Sequence, residues 1–345
     1  GRCPFHEERT PSFVVTPDRG TWRCFGACAV GGDVFDFVMR IEKTDFRGAL
    51  EILARRAGVA LEPPTAAAAE KQALRNRYRT ALDAAAALFH QQLLHGASAE
   101  PAQAYLARRA FDERAVVDFQ LGWAADAWTV TTEALRARGF SDEELVASGL
   151  ARVRDSGGVF DTFRGRLMFP IRDARGRVVG FGARTLDPEG VPKYLNSPQG
   201  DLFDKGRLLY GLDRAAPALR DTGRAVVVEG YTDVIRAHVA GFTNVVASLG
   251  TALTEHHVSL LKRYASTIVL ALDADAAGQA ATLRGLDVVR DAAGGEAVPV
   301  PMPSGAVRYQ HRLNVEIRIA VLPAGKDPDD VVRDDPALWS RLIDD

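Results

Sequence analysis

Three features are scarce or missing in this chain of 345 residues, and each absence excludes a class of protein. With only 3 cysteines, the chain has no basis for a disulfide framework. No run is long and apolar enough to cross a bilayer, and the first residues have no signal-peptide pattern, which predicts a soluble, cytoplasmic protein. Neither charge is in excess, with 43 Lys+Arg against 45 Asp+Glu. Any binding of nucleic acid must therefore depend on local basic clusters.

All three cysteines fall within the first 28 residues, which is typical of a metal site. Cys3 pairs with His6 and Cys24 with Cys28, and the segment between the pairs has the pattern of a hairpin. Three thiolates and one imidazole make a closed tetrahedral set, which predicts a structural zinc site. The alternative is three unrelated buried thiols beside a surface histidine. The close spacing favours zinc.

Two carboxylate clusters each follow an apolar run with the composition of a strand. Residues 225–228 lead into Glu229, and residues 267–272 lead into Asp273 and Asp275. A β-branched run that ends in acid, glycine and a helical stretch indicates a buried parallel strand with its acids at the sheet edge. Oxygen ligands suit a hard ion such as magnesium, which is usually shared with substrate phosphates. Capping or solvated carboxylates are the alternative, but acids this close repel unless a cation compensates them.

Basic residues are concentrated between positions 164 and 207, where nine of them stand against five acidic ones. They lie among strand and turn signals and do not follow one helix face. Lysine and arginine on a rigid sheet hold a polyanion by its phosphates without reading its sequence. The pattern predicts a phosphate-contacting groove, with ordinary surface charge as the alternative. Its residues are Arg164, Arg166, Arg184, Lys193, Lys205 and Arg207.

The pattern of predicted elements divides the chain into four segments. Residues 1–61 form a zinc ribbon with amphipathic helices packed on it, and the Pro-rich, low-complexity stretch 62–69 is a linker. Residues 70–220 begin with a long helix and end in short strands, which indicates an α+β subdomain that carries the basic residues. Residues 221–345 alternate strand and helix. The fold class is therefore α/β, with a doubly wound parallel sheet in the last segment.

The last segment also carries a third acidic cluster. Lys326-Asp327-Pro328-Asp329-Asp330 follows a strand predicted at 315–322. Residues 294–310 are rich in Gly, Pro and Val and are predicted to be a variable loop.

Several motifs, in this order along the chain, resemble those of bacterial replicative DNA primases of the DnaG type. The first are Cys3-Pro-Phe-His6, Thr10-Pro-Ser-Phe13 and Cys24-Phe-Gly. The others are FRGRLMFPI at 163–171, GFGAR at 180–184, KYLNSP at 193–198, KGR at 205–207, EGYTD at 229–233, SLGT at 248–251 and KDPD at 326–329. The resemblance covers essentially the whole chain, and the helical part from 70 to 150 is the least diagnostic. Three residues separate Cys24 from Cys28, where the family more often has two.

The resemblance implies a primase that copies single-stranded DNA into short RNA primers during replication, using a Toprim catalytic fold for residues 221–345. It implies one structural Zn²⁺ and catalytic Mg²⁺ or Mn²⁺. Glu229, Asp273 and Asp275 would bind the catalytic metal, with Asp233, Asp327 and Asp329 around the same sheet edge. Arg184, Lys193 and Lys205 would contact template or nucleotide phosphates, Asn196 would shape that surface, and Arg164, Arg166 and Arg207 would belong to the same binding set.

The resemblance also implies partners. These are a single-stranded DNA template, ribonucleoside triphosphates and the RNA–DNA primer duplex, in a bacterial, nucleoid-associated replisome. The replicative helicase is a partner expected of the full-length family. Because the sequence starts at the first zinc ligand pair and stops just past the third acidic cluster, we expect a fragment without the helicase-binding domain and the rest of the helical catalytic subdomain.

Two other functions would use a similar sheet. A Toprim nuclease or topoisomerase would cleave strands with the same metal site, but a topoisomerase needs a tyrosine nucleophile in a partner domain, for which the chain offers no candidate. A single-stranded DNA-binding recombination mediator would carry a degenerate site, whereas Glu229, Asp273 and Asp275 form a complete set. The zinc ribbon joined to the basic segment favours primer synthesis.

Four further aromatic residues and a histidine pair have plainer interpretations. His256 and His257 could form a metal site, but adjacent histidines point to different helix faces, which favours two surface residues. Trp123 and Trp128 are assigned to the core. Trp22 and Phe25 have two interpretations, base stacking and packing against the zinc knuckle.

Overall fold

A computed structural model describes residues 1–17, 20–61, 65–272, 296–301, 307–312 and 315–344 of the chain. The chain divides into two compact units, Gly1–Lys71 and Gln72–Asp345. None of the helices among these residues combines the length and the apolar character that crossing a bilayer requires.

The first unit contains a three-stranded antiparallel sheet and two helices. Its elements are β1 (Phe13–Thr16), β2 (Thr21–Cys24), β3 (Gly31–Asp33), α1 (Val34–Ile41) and α2 (Phe46–Ala57). The predicted hairpin is β1 and β2, and β3 adds a strand that the sequence pattern did not indicate. Phe5, Phe13, Trp22 and Phe37 form an aromatic cluster with ring centroids 5.1 to 6.3 Å apart. Trp22 is therefore a packing residue, whereas the Phe25 side chain is 70% exposed.

A long helix begins inside the segment predicted to be a linker. It is α3 (Ala66–His95), and the Thr65 hydroxyl accepts the Ala68 N–H at 3.2 Å near its start. Residues 66–69 are therefore helical and do not form an irregular stretch, because alanine has the highest helix propensity and threonine supplies a cap. Residues 62–64 lie outside the described residues.

Short helices and strands follow α3 in the second unit. They are α4 (Glu100–Arg108), α5 (Glu113–Asp118), β4 (Gly122–Ala124), α6 (Val130–Arg136), α7 (Asp142–Ala147), β5 (Ala151–Val153), β6 (Val159–Asp161), β7 (Arg166–Arg172), β8 (Val178–Thr185) and β9 (Tyr194–Asn196). β4, β7, β8 and β9 make one antiparallel sheet in that order. Trp123 in β4 is buried as predicted, but Trp128 is 57% exposed, so its assignment to the core is wrong. The Arg164 guanidinium lies 4.2 Å from a Trp128 ring centroid, a cation–π contact that partly covers this ring at the surface.

The rest of the second unit forms a five-stranded sheet with helices. Its elements are β10 (Leu209–Tyr210), α8 (Leu212–Thr222), β11 (Arg224–Val228), α9 (Tyr231–Val239), β12 (Val245–Ser248), α10 (Glu255–Leu261), β13 (Thr267–Leu270), β16 (Glu316–Ile319), α11 (Pro328–Asp334) and α12 (Pro336–Asp344). The strand order is β10-β12-β11-β13-β16, and every pair is parallel except β10 with β12. The predicted parallel sheet is confirmed.

The central strand β11 is buried on both faces, as its continuous apolar run predicts. Val226 and Val228 belong to a core cluster with α9, α11 and α12. Ala225 and Val227 belong to the opposite cluster, with α8 and α10. Because successive side chains of a strand alternate between faces, the two clusters lie on the two sides of the sheet, which is a doubly wound arrangement.

Residues 294–310 are not simply a loop. The structure contains an antiparallel pair, β14 (Glu296–Pro301) and β15 (Val307–Arg312), across most of this stretch. The loop prediction is therefore wrong for the described residues 296–301 and 307–310, whose β-branched and aromatic residues favour strands.

Candidate functional site

The four predicted zinc ligands lie together in the first unit. The ligand atoms of Cys3, His6, Cys24 and Cys28 are all within 4.8 Å of one another. Cys3 Sγ is 3.6 Å from Cys28 Sγ, and Cys24 Sγ is 3.8 Å from His6 Nδ1. A tetrahedral ion with bonds of about 2.3 Å to sulfur holds its sulfur ligands about 3.8 Å apart. The cluster therefore fits zinc, and the longer spacing before Cys28 does not prevent its approach.

Burial and hydrogen bonding shift the pKa values of two thiols in this cluster in opposite directions. Burial raises the pKa of Cys3. Burial would also raise the pKa of Cys24, but its side-chain hydrogen bond with Ser12 and the hydrogen bond from the Gly26 N–H bring it down to about 7. Neighbouring thiolates repel each other, and a bound metal relieves that repulsion.

A cleft of about 500 Å³ lies at one edge of the parallel sheet in the second unit. Its lining includes residues that directly follow β11, β12 and β13, where the carboxyl ends of parallel strands meet. Residues of β8 and β9 also line it. The cleft is thus bounded by the five-stranded sheet and the four-stranded antiparallel sheet of this unit.

Among the described residues, three carboxylates line the cleft, those of Glu229, Asp233 and Asp327. The Asp233 carboxylate accepts the Gly230 N–H at 2.9 Å, which ties the start of α9 to the turn after β11. Asp327 caps α11 and accepts the Asp330 N–H at 2.8 Å. Burial raises the pKa of Asp327, and the nearby Asp330 charge adds to this effect. A bound cation would offset both causes.

The structure does not test the other two predicted metal ligands. Asp273 and Asp275 lie outside the described residues, and β13 ends three residues before Asp273. Their convergence with Glu229 stays a prediction.

Asp329 has a different environment from the other acids. It is fully buried and is not among the described residues that line the cleft. One carboxylate oxygen accepts from Arg236 Nε at 2.6 Å, and the other accepts from Arg109 Nη1. Asp329 is therefore held in an ion-pair network, and two guanidinium groups already occupy its oxygens.

In the described part of the chain, three cationic side chains line the cleft with the acids, those of Arg109, Arg184 and Lys193. The Arg184 guanidinium donates to the Tyr194 hydroxyl at 2.7 Å and lies 4.7 Å from the Tyr105 ring centroid. These contacts fix its planar group at the cleft wall. The sequence pattern missed Arg109, because its partner Asp329 is 220 residues away along the chain.

Asn196 joins β9 to the loop after β12. Its amide nitrogen donates to the Leu249 carbonyl at 3.0 Å, and its amide oxygen accepts from the Tyr231 hydroxyl at 2.5 Å. The Tyr231 ring stacks on Phe169 with 4.9 Å between centroids. The cleft wall around Asn196 is thus fixed by packing and hydrogen bonds.

The remaining basic residues lie away from the cleft lining. Arg164 and Arg166 line a separate pocket of about 310 Å³, and they donate to the Asp161 and Pro192 carbonyls at 2.6 and 2.9 Å. Lys205 and Arg207 are exposed and are not among the described cleft residues. The structure therefore divides the predicted basic set between two surfaces and an exposed loop.

The loop that carries Lys205 is held by a buried histidine. His257 Nε2 donates to the Lys205 carbonyl at 3.1 Å, and His257 Nδ1 accepts the Thr254 N–H at 3.2 Å. The prediction of a surface role is wrong for His257, which is fully buried, whereas His256 is exposed. Both ring nitrogens have partners, so this side chain is a structural support for the loop.

The cleft brings acids that suit a divalent cation next to bases that suit phosphate. This combination serves phosphate chemistry in which the cation and the phosphate are bound side by side. It supplies no nucleophilic serine–histidine or cysteine–histidine pair among the described lining residues. The cleft can therefore position reacting groups and stabilise the charge that develops during phosphate chemistry.

Family models match three parts of the chain. The description "CHC2 zinc finger" covers residues 1–69, "DNA primase catalytic core, N-terminal domain" covers residues 89–216, and "Toprim domain" covers residues 223–298. The zinc-finger match agrees with the cysteine–histidine cluster, and together they support a structural zinc. The Toprim match supports the use of a divalent metal.

Similar curated proteins include DNA primases. The DNA primase of Deinococcus radiodurans is 43% identical over 334 residues, which cover 96% of this chain and 53% of that protein. The chain spans about half the length of the curated relatives it matches.

Solved structures of primases are also similar. A crystal structure of the zinc-binding and RNA polymerase domains of the Aquifex aeolicus primase has a TM-score of 0.68 at 32% identity and covers 100% of this chain and 77% of that one. A structure of the DnaG primase catalytic domain bound to ssDNA has a TM-score of 0.66 at 33% identity, with 79% and 80% covered.

Proposed function

Because this chain belongs to the family of DnaG-type DNA primases, we propose that it joins ribonucleotides into short RNA primers on a single-stranded DNA template. One observation of its own structure carries the proposal. Carboxylates and guanidinium groups line one cleft at the carboxyl ends of parallel strands. Such a cleft suits a metal-assisted phosphoryl transfer. The domain limits 1–61, 62–69, 70–220 and 221–345 remain part of the proposal, with a helical start at Ala66.

We assign metal roles to two groups of residues. Cys3, His6, Cys24 and Cys28 hold a structural Zn²⁺. Glu229, Asp273 and Asp275 hold Mg²⁺ or Mn²⁺, with Asp233 and Asp327 beside them. These carboxylates would hold a divalent ion, which would ease attack of a primer 3′-hydroxyl on the α-phosphate and neutralise the departing pyrophosphate.

The basic residues would bind phosphate groups, beside the carboxylates that bind metal. Arg184 and Lys193 line the cleft and would hold phosphate oxygens of the nucleotide or template. Arg164 and Arg166 line their own pocket and would contact the nucleic-acid backbone further from the reacting atoms. Lys205 and Arg207 are exposed and suit the same task. Asn196 keeps the cleft wall in shape through Leu249 and Tyr231.

The partners follow from the family and from these contacts. We propose a single-stranded DNA template, ribonucleoside triphosphates and the RNA–DNA primer duplex. In the whole protein we expect the replicative helicase as a further partner. Because the chain spans about half of its relatives, that interaction is not assigned to any residue here.

The test is synthesis from the chain alone. It is incubated with a single-stranded template, the four ribonucleotides and either Mg²⁺ or Mn²⁺, and newly made oligoribonucleotides are measured. We expect primers, and we expect Asp273→Ala and Glu229→Gln to lower the rate by about 10²-fold or more while template binding, measured by anisotropy, is retained. Glu255→Gln, an exposed carboxylate of α10, is the matched control and should keep its rate.

Other outcomes identify other functions. Cleavage of the template without synthesis would indicate a Toprim nuclease. Binding of the template with neither reaction would indicate a binding protein. Near-normal synthesis by Asp273→Ala would contradict the assigned metal site.

A further inference from the structure

The two ring nitrogens of His6 face different neighbours. Nδ1 lies 3.8 Å from Cys24 Sγ, on the side of the thiol cluster. Nε2 lies 3.2 Å from a carboxylate oxygen of Glu8. A neutral imidazole carries one N–H, and the group that accepts it decides which nitrogen is left to bind a metal.

Glu8 is held in a defined place. One carboxylate oxygen accepts the Cys3 N–H at 2.6 Å and the Ser12 N–H at 3.0 Å. The other oxygen accepts the Ser12 hydroxyl, and Ser12 Oγ also lies 3.2 Å from Cys24 Sγ. The Glu8 carboxylate thus contacts Cys3 and His6 directly and reaches Cys24 through Ser12. Its side chain is 9% exposed.

Gly26 leaves the space that this arrangement needs. A Cβ atom on Gly26 would lie 2.5 Å from Ser12 Oγ, 2.9 Å from His6 Nε2 and 3.0 Å from the Glu8 carboxylate. These separations are below van der Waals contact, so a side chain at this position would displace the groups around Nε2. Three residues outside the ligand set, Glu8, Ser12 and Gly26, therefore define the surroundings of one ligand.

We propose that Glu8 is a positioning residue of the zinc site, which accepts the Nε2–H of His6 so that His6 binds zinc through Nδ1. A carboxylate on the far nitrogen fixes the tautomer and ring orientation and makes the ligating nitrogen more basic. Ser12 connects the same carboxylate to the Cys24 sulfur. The proposal concerns zinc alone and does not depend on primer synthesis.

A simpler role for Glu8 would be to stabilise the turn through the two backbone N–H groups that it accepts. The two roles differ in what they require of His6. A turn-stabilising carboxylate leaves the histidine tautomer undetermined, whereas a positioning carboxylate requires Nε2 to carry the proton. The two roles are therefore distinguished by which ring nitrogen of His6 carries the proton.

The first experiment measures zinc affinity of the full chain by competition with a chromogenic chelator. We expect Glu8→Ala to weaken zinc binding by about 10- to 100-fold. Glu7→Ala, the exposed neighbouring glutamate, is the matched control and should bind as the unchanged chain does. Affinities of Glu8→Ala and Glu7→Ala within about twofold of each other would overturn the proposal.

The second experiment needs no variant and decides the case even where Glu8→Ala fails to fold. Nitrogen-15 NMR of the zinc-bound chain, labelled at histidine, reports which nitrogen of His6 is protonated. Protonated Nε2 with metal-bound Nδ1 is the expected result. Metal-bound Nε2 would overturn the proposal, because Glu8 would then have no N–H to accept from the ring.

Discussion

Arg236 and Asp329 form an ion pair inside the second unit, with Arg236 Nε 2.6 Å from an Asp329 carboxylate oxygen. Arg236 is 6% exposed and Asp329 is fully buried. Arg109 donates to the other carboxylate oxygen, and Arg236 also donates to the Arg109 and Ala110 carbonyls at the end of α4. One carboxylate thus links α4, α9 and α11, and its partner Arg109 also lines the cleft.

Asp329→Asn should destabilise the chain by about 3–5 kcal/mol, because it leaves a buried guanidinium without its countercharge. The measurement is the free energy of unfolding in urea. Asp330→Asn is the matched control on the same helix. Its pair with Arg333 is partly exposed, and a surface pair of this kind contributes about 0–1 kcal/mol. Equal losses from the two variants would contradict the role of Asp329.

Gly182→Ala should destabilise the chain by about 1–3 kcal/mol through overpacking. A Cβ at this position would lie 2.3 Å from the Tyr231 ring, which is buried and stacked on Phe169. Thermal unfolding measures the effect. Gly200→Ala is the control, since its Cβ would have no neighbour closer than 3.9 Å, and it should change stability little. A similar melting temperature for both variants would contradict the prediction, because it would show that the Tyr231 ring moves aside at little cost in free energy.

The stability contributed by His257 should depend on pH. Burial lowers the pKa of His257 from its ordinary 6.5, and the charge of His256 lowers it further. Hydrogen bonds to the Lys205 and Leu208 carbonyls and the Asp204 charge raise the pKa, but they offset only part of the effect of burial. Because the folded pKa lies below the unfolded one, the contribution is complete above pH 6.5 and is lost as the pH falls through the folded pKa.

The measurement compares the unfolding free energy of the unchanged chain with that of His257→Gln between pH 8 and about pH 5. We expect the difference between them to shrink as the pH falls. Burial also lowers the pKa of His238, but His238 titrates in both proteins and does not affect the difference. Two parallel curves would contradict the assignment to His257.

Removal of zinc should unfold Gly1–Lys71 and leave Gln72–Asp345 folded. The first unit is too small to hold much core, so metal binding supplies a large part of its folding free energy. Limited proteolysis after treatment with a chelator should give cuts within the first 71 residues only. In the proposed activity, initiation should fall more than extension of a pre-made primer. Loss of the second unit, or an equal loss of extension, would contradict this separation.

Local signals made much of the fold predictable. Ser141 and Glu144 form a capping box at the start of α7, and a serine followed three residues later by a glutamate is the sequence signature of that motif. The apolar runs that end at Val228 and Leu270 are parallel neighbours, as their alternation with helices requires. These features depend on residues close in sequence, so a single chain contains the information.

Side-chain environments were less predictable. Nothing near Trp128 in the sequence indicates that Arg164 covers its ring at the surface, and nothing near His257 indicates a buried bond to Lys205. Each depends on a partner from another element. Sequence periodicity describes which face of an element is apolar, but not which polar group meets it there.

The sequence by itself determined the zinc ligand types, their spacing and the strand–helix alternation that brings carboxylates to a sheet edge. Each of these features depends on residues that are close together in the chain. Only the tertiary structure decided that Asp327 lines the cleft while Asp329, two residues later, lies in a buried pair with Arg236. At a helix start, successive side chains point in different directions, and what each one meets is set by segments distant in the chain.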